Sequence, residues 1–188
     1  MRSAKSRSSD QLEAPSGHFE KDAAWMPVMV LAVSCQAATT LMLRVVPSIA
    51  PELVIQYQWS ASFVGWLATI AIFGSLVPVT FGVGMLRVFG SIRAMRIGLL
   101  LSFIGTLGLI FPLAGIAMTA CLIVGLGHGA ANPAGNDLLH KHAPGDRQSL
   151  AFSVKQSSVP FAGMFGGLVL PPIAHHFGVE AAICFAAA

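Results

Sequence analysis

The sequence predicts an all-α protein, a polytopic bundle of transmembrane helices. Hydrophobic residues make up 55% of the 188 residues, and charged residues only 10%. Soluble domains carry about 25% charged residues, so this chain has too few charges to cover a globular surface. Apolar runs about as long as a bilayer is thick recur along the chain, and the basic residues stand at their ends. Together these observations place the protein in a membrane.

The first 23 residues differ in composition from the rest of the chain. They mix serine with charged residues and contain no short apolar core followed by a small-residue cleavage site. Residues 1–23 are therefore predicted to be a disordered cytoplasmic tail, not a cleaved signal peptide. The transmembrane domain is predicted to cover residues 24–188.

The first three spans are separated by clear breaks. A helix needs about 20 mostly apolar residues to cross a bilayer. The first predicted span covers residues 24–46 and ends before Pro47 and Glu52, which interrupt the apolar pattern. The second covers residues 61–86, and a short turn with glycine and arginine separates it from the third, residues 93–111.

The remaining segments follow closely. The fourth predicted span, residues 113–139, begins directly after Pro112, so its hairpin with the third is tight. A basic loop at 140–148 leads into the fifth span, residues 149–174. The last apolar segment, residues 179–188, has about half the length of a span. The sequence thus predicts five complete spans and part of a sixth.

The positive charges predict the orientation of these spans. Cytoplasmic loops of membrane proteins carry an excess of lysine and arginine. With the tail in the cytoplasm, the outside receives only Arg44, and nine basic residues lie inside. These nine are Arg2, Lys5, Arg7, Lys21, Arg87, Arg93, Arg96, Lys141 and Arg147. We expect a bacterial-type inner-membrane protein with a cytoplasmic N-terminus.

Several functional classes are disfavoured by composition. The net charge of +3 comes from residues at span ends, a pattern of membrane topology and not of nucleic-acid binding. Three cysteines in apolar runs do not form a disulfide framework. The spans contain no nucleophile–base pair and no cluster of metal ligands, so neither an enzyme, a metal site nor a cofactor is expected.

The fourth span carries small and polar residues at helical spacing. Residues four apart stack on one face of a helix, so they form a stripe. The stripe consists of Gly125, Gly127, Gly129, His128, Asn132 and Asn136. The glycines allow close helix packing. Asn132 could join helices or line a solute path, and His128 could relay protons or bond a neighbouring helix.

Lys155 in the fifth span has three interpretations. It lies about 10 Å from the predicted cytoplasmic start of its helix. It could snorkel to the surface or pair with Asp137, attract an anion as a charge in a cavity, or act as a proton-coupled switch. On the first span, Gln36, Thr39 and Thr40 form a polar patch that could face a cavity or bond its own backbone. Gln36, Asn132, Lys155 and His128 are the candidate path residues.

Other features of the fifth span concern its helix geometry. Pro160 frees a backbone carbonyl in mid-span, which is tolerated only where protein or water satisfies it. Gly163 and Gly167 have the spacing of a close-packing motif.

The loop between the second and third spans resembles a signature of the major facilitator superfamily. It reads Gly84-Met-Leu-Arg-Val-Phe-Gly90-Ser-Ile-Arg93, and Gly90 and Arg93 match the superfamily's glycine-and-basic pattern. Arg87 stands where the pattern has an aspartate, and Val83 where it has its first glycine. The resemblance therefore does not imply the charge-relay latch of this loop.

Two further stretches are similar to this superfamily. Gly127 and Gly129 match its fourth helix, but Ile123 stands where some proton-coupled members have an arginine. The run from Phe152 to Gly163 looks like a fifth-helix motif of a bacterial branch of small-solute permeases.

The resemblance implies a secondary transporter of a small solute that works by alternating access. It implies a fold of two six-helix halves around a midplane site. By that comparison the chain is the amino-terminal half, truncated within helix six, and its expected partners are the solute, the lipid bilayer and the missing half or another chain. A fragment, a truncated gene and a half that pairs with another chain all remain open. The alternative is a non-transporting remnant or a scaffold subunit of a membrane complex.

Overall fold

The computed structural model describes residues 16–188, except for the side chains of residues 16–24, 83, 85 and 87, and the described residues form seven α-helices. The helices are α1 Ser16–Ser48, α2 Ala50–Tyr57, α3 Ala61–Phe89, α4 Ser91–Gly108, α5 Ala114–His142, α6 Gln148–Phe177 and α7 Val179–Ala187. No residue in this range lies in a strand. The predicted all-α class is confirmed. Residues 1–15 of the predicted tail lie outside the described range, and α1 begins at Ser16, ahead of the predicted first span.

Five of the described helices are long and apolar enough to cross a membrane. The membrane-compatible segments are Trp25–Ser48, Ala61–Gly82, Ser91–Gly108, Ala114–His142 and Gln148–Phe177. Each overlaps one of the five complete spans that the sequence predicts. Their outward faces carry large exposed hydrophobic side chains, among them Trp66, Phe73 and Phe161. Such faces are suited to contact with lipid.

The segment between the first two spans is more regular than the sequence suggests. Its prolines indicate a break, yet residues 50–57 form the short helix α2. Pro51 lies in the first turn of α2, where its missing N–H costs nothing, and Glu52 follows it in the same turn. Gln58 ends the helix with a left-handed backbone at φ 55°. The prolines therefore end one helix and begin another.

Helix α5 is the central element of the bundle. It packs against α3 and α4 over much of its length and also contacts α1. A Cβ atom on Gly125 or Gly129 would collide with the backbone of α3, and one on Gly127 with the backbone of α4. Only glycine permits this close approach, so these glycines are packing positions.

The glycines of α6 behave differently from the predicted motif. A Cβ atom on Gly163 or Gly167 would meet no other atom within 4 Å. Gly166 is buried instead, and a Cβ there would lie 2.9 Å from Leu41 of α1. The close contact of α6 is thus made by Gly166, because that residue faces α1.

Pro160 does not interrupt this helix. Helix α6 continues through it from Gln148 to Phe177.

Candidate substrate-path site

The polar patch of α1 is buried and mostly bonded to its own helix. The Thr39 hydroxyl donates to the carbonyl oxygen of Cys35 at 3.0 Å, and Thr40 donates to that of Gln36 at 2.7 Å. Gln36 is only 2% exposed, and its Oε1 has no hydrogen-bond partner among the side chains and backbone that the structure describes. The two threonines are therefore satisfied locally, whereas Gln36 retains a free acceptor inside the bundle.

Lys155 of α6 is almost completely buried. Its side chain is 1% exposed, and its Nζ donates to Oδ1 of Asn132 and Oδ1 of Asn136, each at 2.9 Å. The backbone oxygen of Asn132 lies 3.4 Å away. Asn132 and Asn136 share one face of α5 because they are four residues apart. The lysine thus joins α6 to α5 through two side-chain amides.

Gly135 leaves space for the methylene groups of the Lys155 side chain. A Cβ atom at this position would lie 2.8 Å from Cε of Lys155, closer than such contacts normally are. A larger residue would push the methylene groups away from α5. The glycine therefore belongs to the geometry of the cluster, although its sequence context gave no sign of this.

The carboxylate expected beside Lys155 lies elsewhere. Asp137 accepts hydrogen bonds from Lys141, at 2.6 Å, and from the hydroxyl of Ser91. Among the aspartate and glutamate side chains that the structure describes, none lies within ion-pair distance of Lys155. Of the interpretations of Lys155, the pair with Asp137 does not form, because Asp137 points from a different side of α5 toward the start of α4. Snorkelling is also excluded in this conformation by the burial of the lysine.

His128 lies on α5 one helical turn before Asn132 and is half-buried. Its Nδ1 is enclosed and has no partner in the part of the chain that the structure describes. It does not bond Lys155, Asn132 or Asn136. The structure therefore brings Asn132 and Lys155 into direct contact, whereas Gln36 and His128 each contribute an unpartnered polar atom.

A second polar cluster lies at the opposite end of the bundle, and sequence reasoning missed it. Gln56 of α2 donates from Nε2 to both carboxylate oxygens of Glu180, at 3.0 and 2.9 Å, and its Oε1 accepts from the backbone N–H of Val179 at 3.0 Å. The hydroxyl of Tyr57 lies 3.1 Å from the carbonyl oxygen of Ile110 and 3.3 Å from Glu180. These contacts join α2, the turn that follows α4 and the start of α7. Residues so far apart in the sequence gave no signal of contact.

This second polar cluster, which we call the outer cluster, changes the pKa of Tyr57. Partial burial raises the pKa of Tyr57 from 10 to about 12, and the negative charge of Glu180 and its hydrogen bond add to the effect. A tyrosinate beside a carboxylate would be repelled, so the neutral phenol is favoured.

Two open grooves of the bundle do not include the predicted path residues. One of about 650 Å³ lies between α4 and α5, and another of about 590 Å³ lies between the α1–α2 corner and α3. Both are lined almost entirely by apolar side chains, and neither includes Gln36, His128, Asn132 or Lys155. Such grooves resemble lipid-facing surface. Among the described residues no group of His, Cys, Asp and Glu could hold a metal ion.

Comparison with known proteins identifies the family. A sequence model of the Major Facilitator Superfamily matches residues 31–188, which is most of the chain. No curated protein and no solved structure gives a significant match. The matched region contains all five membrane-compatible helices apart from the first residues of α1. The chain is therefore an integral membrane protein that belongs to the Major Facilitator Superfamily, a family of transporters.

Proposed function

We propose that the chain is a secondary transporter that moves a small solute by alternating access, along a path beside α1, α5 and α6. The observation that carries this proposal is the cluster of Lys155, Asn132 and Asn136. A charge inside a bilayer is expensive and usually marks a solute or ion pathway. Here the charged group lies in a member of a transporter superfamily.

The other two candidate path residues, Gln36 and His128, are consistent with this path. Gln36 of α1 and His128 of α5 carry enclosed polar atoms without partners in the described chain. Buried polar groups are normally satisfied, and an unsatisfied one calls for an explanation such as a water or a ligand. In this proposal Gln36 and His128 bind the solute or the water that accompanies it.

The proposed orientation places the N-terminus in the cytoplasm of a bacterial-type inner membrane. The turn between α3 and α4 and the loop between α5 and α6 carry Arg87, Arg93, Lys141 and Arg147, whereas Arg44 lies toward the other end of α1. The positive-inside rule supports this arrangement. The Lys155 cluster then lies nearer the cytoplasmic surface, about 10 Å into α6.

Uptake by reconstituted vesicles tests the proposal. The purified full chain would be inserted in liposomes and assayed with labelled solutes of negative, neutral and positive charge. We expect saturable uptake of at least one solute, and a loss of about tenfold for Gln36→Leu, since a lost hydrogen bond to solute is worth about 1 kcal/mol or more.

The control is Gln148→Leu, the same change at a partly exposed residue at the proposed cytoplasmic start of α6, outside the proposed path, which should transport normally. Uptake that never exceeds that of empty liposomes would contradict the transport function and favour a remnant or scaffold subunit. Equal loss in both variants would instead remove Gln36 from the path.

A further inference from the structure

We propose that the side-chain amides of Asn132 and Asn136 bind a small monovalent anion, with Lys155 behind them as the charge that positions and polarises them. This inference rests on the proposed transport function and adds the charge class of the solute. The two amides together are called the asparagine edge.

The orientation of the asparagine edge is fixed by chemistry. A lysine ammonium carries three donors and no acceptor, so only the amide oxygens can face it. Both Oδ1 atoms lie 2.9 Å from Nζ of Lys155. The NH₂ group of each amide diverges from the oxygen at the trigonal amide carbon and cannot bond the ammonium, so it is left to donate to another acceptor.

The outward NH₂ groups are accessible. Asn136 is exposed and Asn132 is half-buried. Neither NH₂ group donates to an acceptor in the described part of the chain, and neither nitrogen is an enclosed atom without a partner there. The asparagine edge thus presents four N–H donors on a reachable face of α5.

The electrostatic field at this edge is positive. Lys155 is 1% exposed, so water screens its charge weakly, and no carboxylate of the described chain lies within ion-pair distance of it. The amides bonded to the ammonium are polarised, which strengthens their N–H groups as donors. An anion at the edge would meet both the donors and an uncompensated positive charge.

These features favour one class of ligand. A neutral solute would gain the hydrogen bonds but not the attraction of the charge. A dianion would find only one buried positive charge to balance it. Small monoanions whose oxygens accept hydrogen bonds fit both properties, whether they are carboxylates or inorganic oxyanions.

The alternative is that Lys155 only ties α6 to α5. Asn132→Asp separates the two interpretations. The new carboxylate would face Lys155 and form an ion pair, so the tie between the helices is kept. The same change removes one NH₂ group and cancels the positive charge. A structural tie predicts normal solute binding in this variant, and an anion site predicts its loss.

Thermal unfolding of the full chain in lipid nanodiscs is the proposed experiment. The probes are sodium lactate, sodium nitrate and neutral glycerol, at one ionic strength set with sodium sulfate. A ligand that binds the folded state raises Tm. We expect lactate or nitrate to raise the Tm of the native protein, with a half-saturating concentration about tenfold or more higher in Asn132→Asp.

A second variant, Lys155→Gln, tests the positioning role. It removes the charge but retains a polar side chain, and we expect it to lose the anion response while its response to glycerol stays that of the native protein. A response to lactate alone assigns the carboxylates, and one to nitrate alone assigns inorganic oxyanions.

The inference is overturned if neither anion raises the Tm of the native protein, or if both anions act equally on the native protein and Asn132→Asp. Saturable uptake of a neutral solute without any anion response would reject this inference and leave the transport function intact. Anion binding without uptake of any solute would reject transport and leave the anion site intact.

Discussion

Two clusters in this protein each hold one charged group with neutral partners, and they differ in depth. In the inner cluster the ammonium of Lys155 is buried and bonded to Asn132 and Asn136. In the outer cluster the carboxylate of Glu180 is partly exposed and bonded to Gln56 and Tyr57. Water can reach the carboxylate of Glu180 directly, whereas the ammonium of Lys155 is shielded by protein. The same kind of contact should therefore be far more costly to break inside the membrane.

The largest expected effect comes from removing an inner partner. Asn132→Leu leaves the buried ammonium of Lys155 with one amide, and we expect a loss of about 3 kcal/mol in the free energy of unfolding. Unfolding by denaturant in mixed micelles measures this change.

The double variant Asn132→Leu with Lys155→Met is its control. Replacing a buried polar pair by apolar groups is often close to neutral, so the double variant should recover most of the stability. If the single and the double variant have the same low free energy of unfolding, the loss comes from packing at Asn132. It does not then come from the buried ammonium of Lys155.

A smaller effect is expected where the inner cluster is crowded. Gly135→Ala places a Cβ 2.8 Å from Cε of Lys155, whereas Gly163→Ala on α6 meets nothing within 4 Å. Both variants gain helix propensity, but only the first must displace the lysine. We expect Gly135→Ala to be less stable than Gly163→Ala by about 1–2 kcal/mol. If Gly135→Ala and Gly163→Ala change Tm equally, the Lys155 side chain can move aside without cost.

The outer cluster should tolerate the loss of a partner better. Gln56→Leu removes the bonds to Glu180, whose carboxylate is partly exposed and can turn to water, and the bond to the N–H of Val179, which is buried. We expect a cost of about 1–2 kcal/mol in the same unfolding assay, less than that of Asn132→Leu. A cost as large as that of Asn132→Leu would contradict the dependence on depth.

The smallest effect concerns the single tyrosine of the chain. The folded pKa of Tyr57 is raised, to about 12, so the folded state favours the neutral phenol. This contribution to stability is complete below the unfolded value of 10 and is lost as the pH rises toward 12.

Tyrosinate absorbance reports only this residue, because Tyr57 is the sole tyrosine. In Glu180→Gln we expect the titration to move toward lower pH, since the neighbouring negative charge is gone. An unchanged midpoint would leave burial as the whole cause of the raised pKa.

Sequence patterns predicted the positions of the helices well. They predicted poorly which side chains of different helices contact each other. Long apolar runs determine that residues 61–86 or 149–174 cross a membrane, because a bilayer excludes most alternatives. The stripe of Asn132 and Asn136 was also visible from its spacing. One of the interpretations of Lys155 paired it with Asp137 because the two residues flank the same short loop, and the structure does not form that pair.

The reason lies in the direction of side chains on α5. Successive residues of a helix are rotated by about 100°, so Asp137 points away from the face that Asn136 shares with Asn132. Lys141, one turn later, and Ser91 of α4 bind the aspartate instead. The outer cluster joins residues more than 120 positions apart, such as Gln56 and Glu180, which no local pattern could relate.

The central claim, that the asparagine edge faces an aqueous path, can be tested by thiol labelling. Asn136→Cys would be made in a chain with Cys184→Ser, because Cys184 is exposed while Cys35 and Cys121 are buried. We predict that a membrane-impermeant maleimide modifies the new cysteine in sealed vesicles, and that a transported solute slows the reaction. Modification only by a lipid-soluble maleimide, with no effect of any solute, would place Asn136 in lipid and contradict the account.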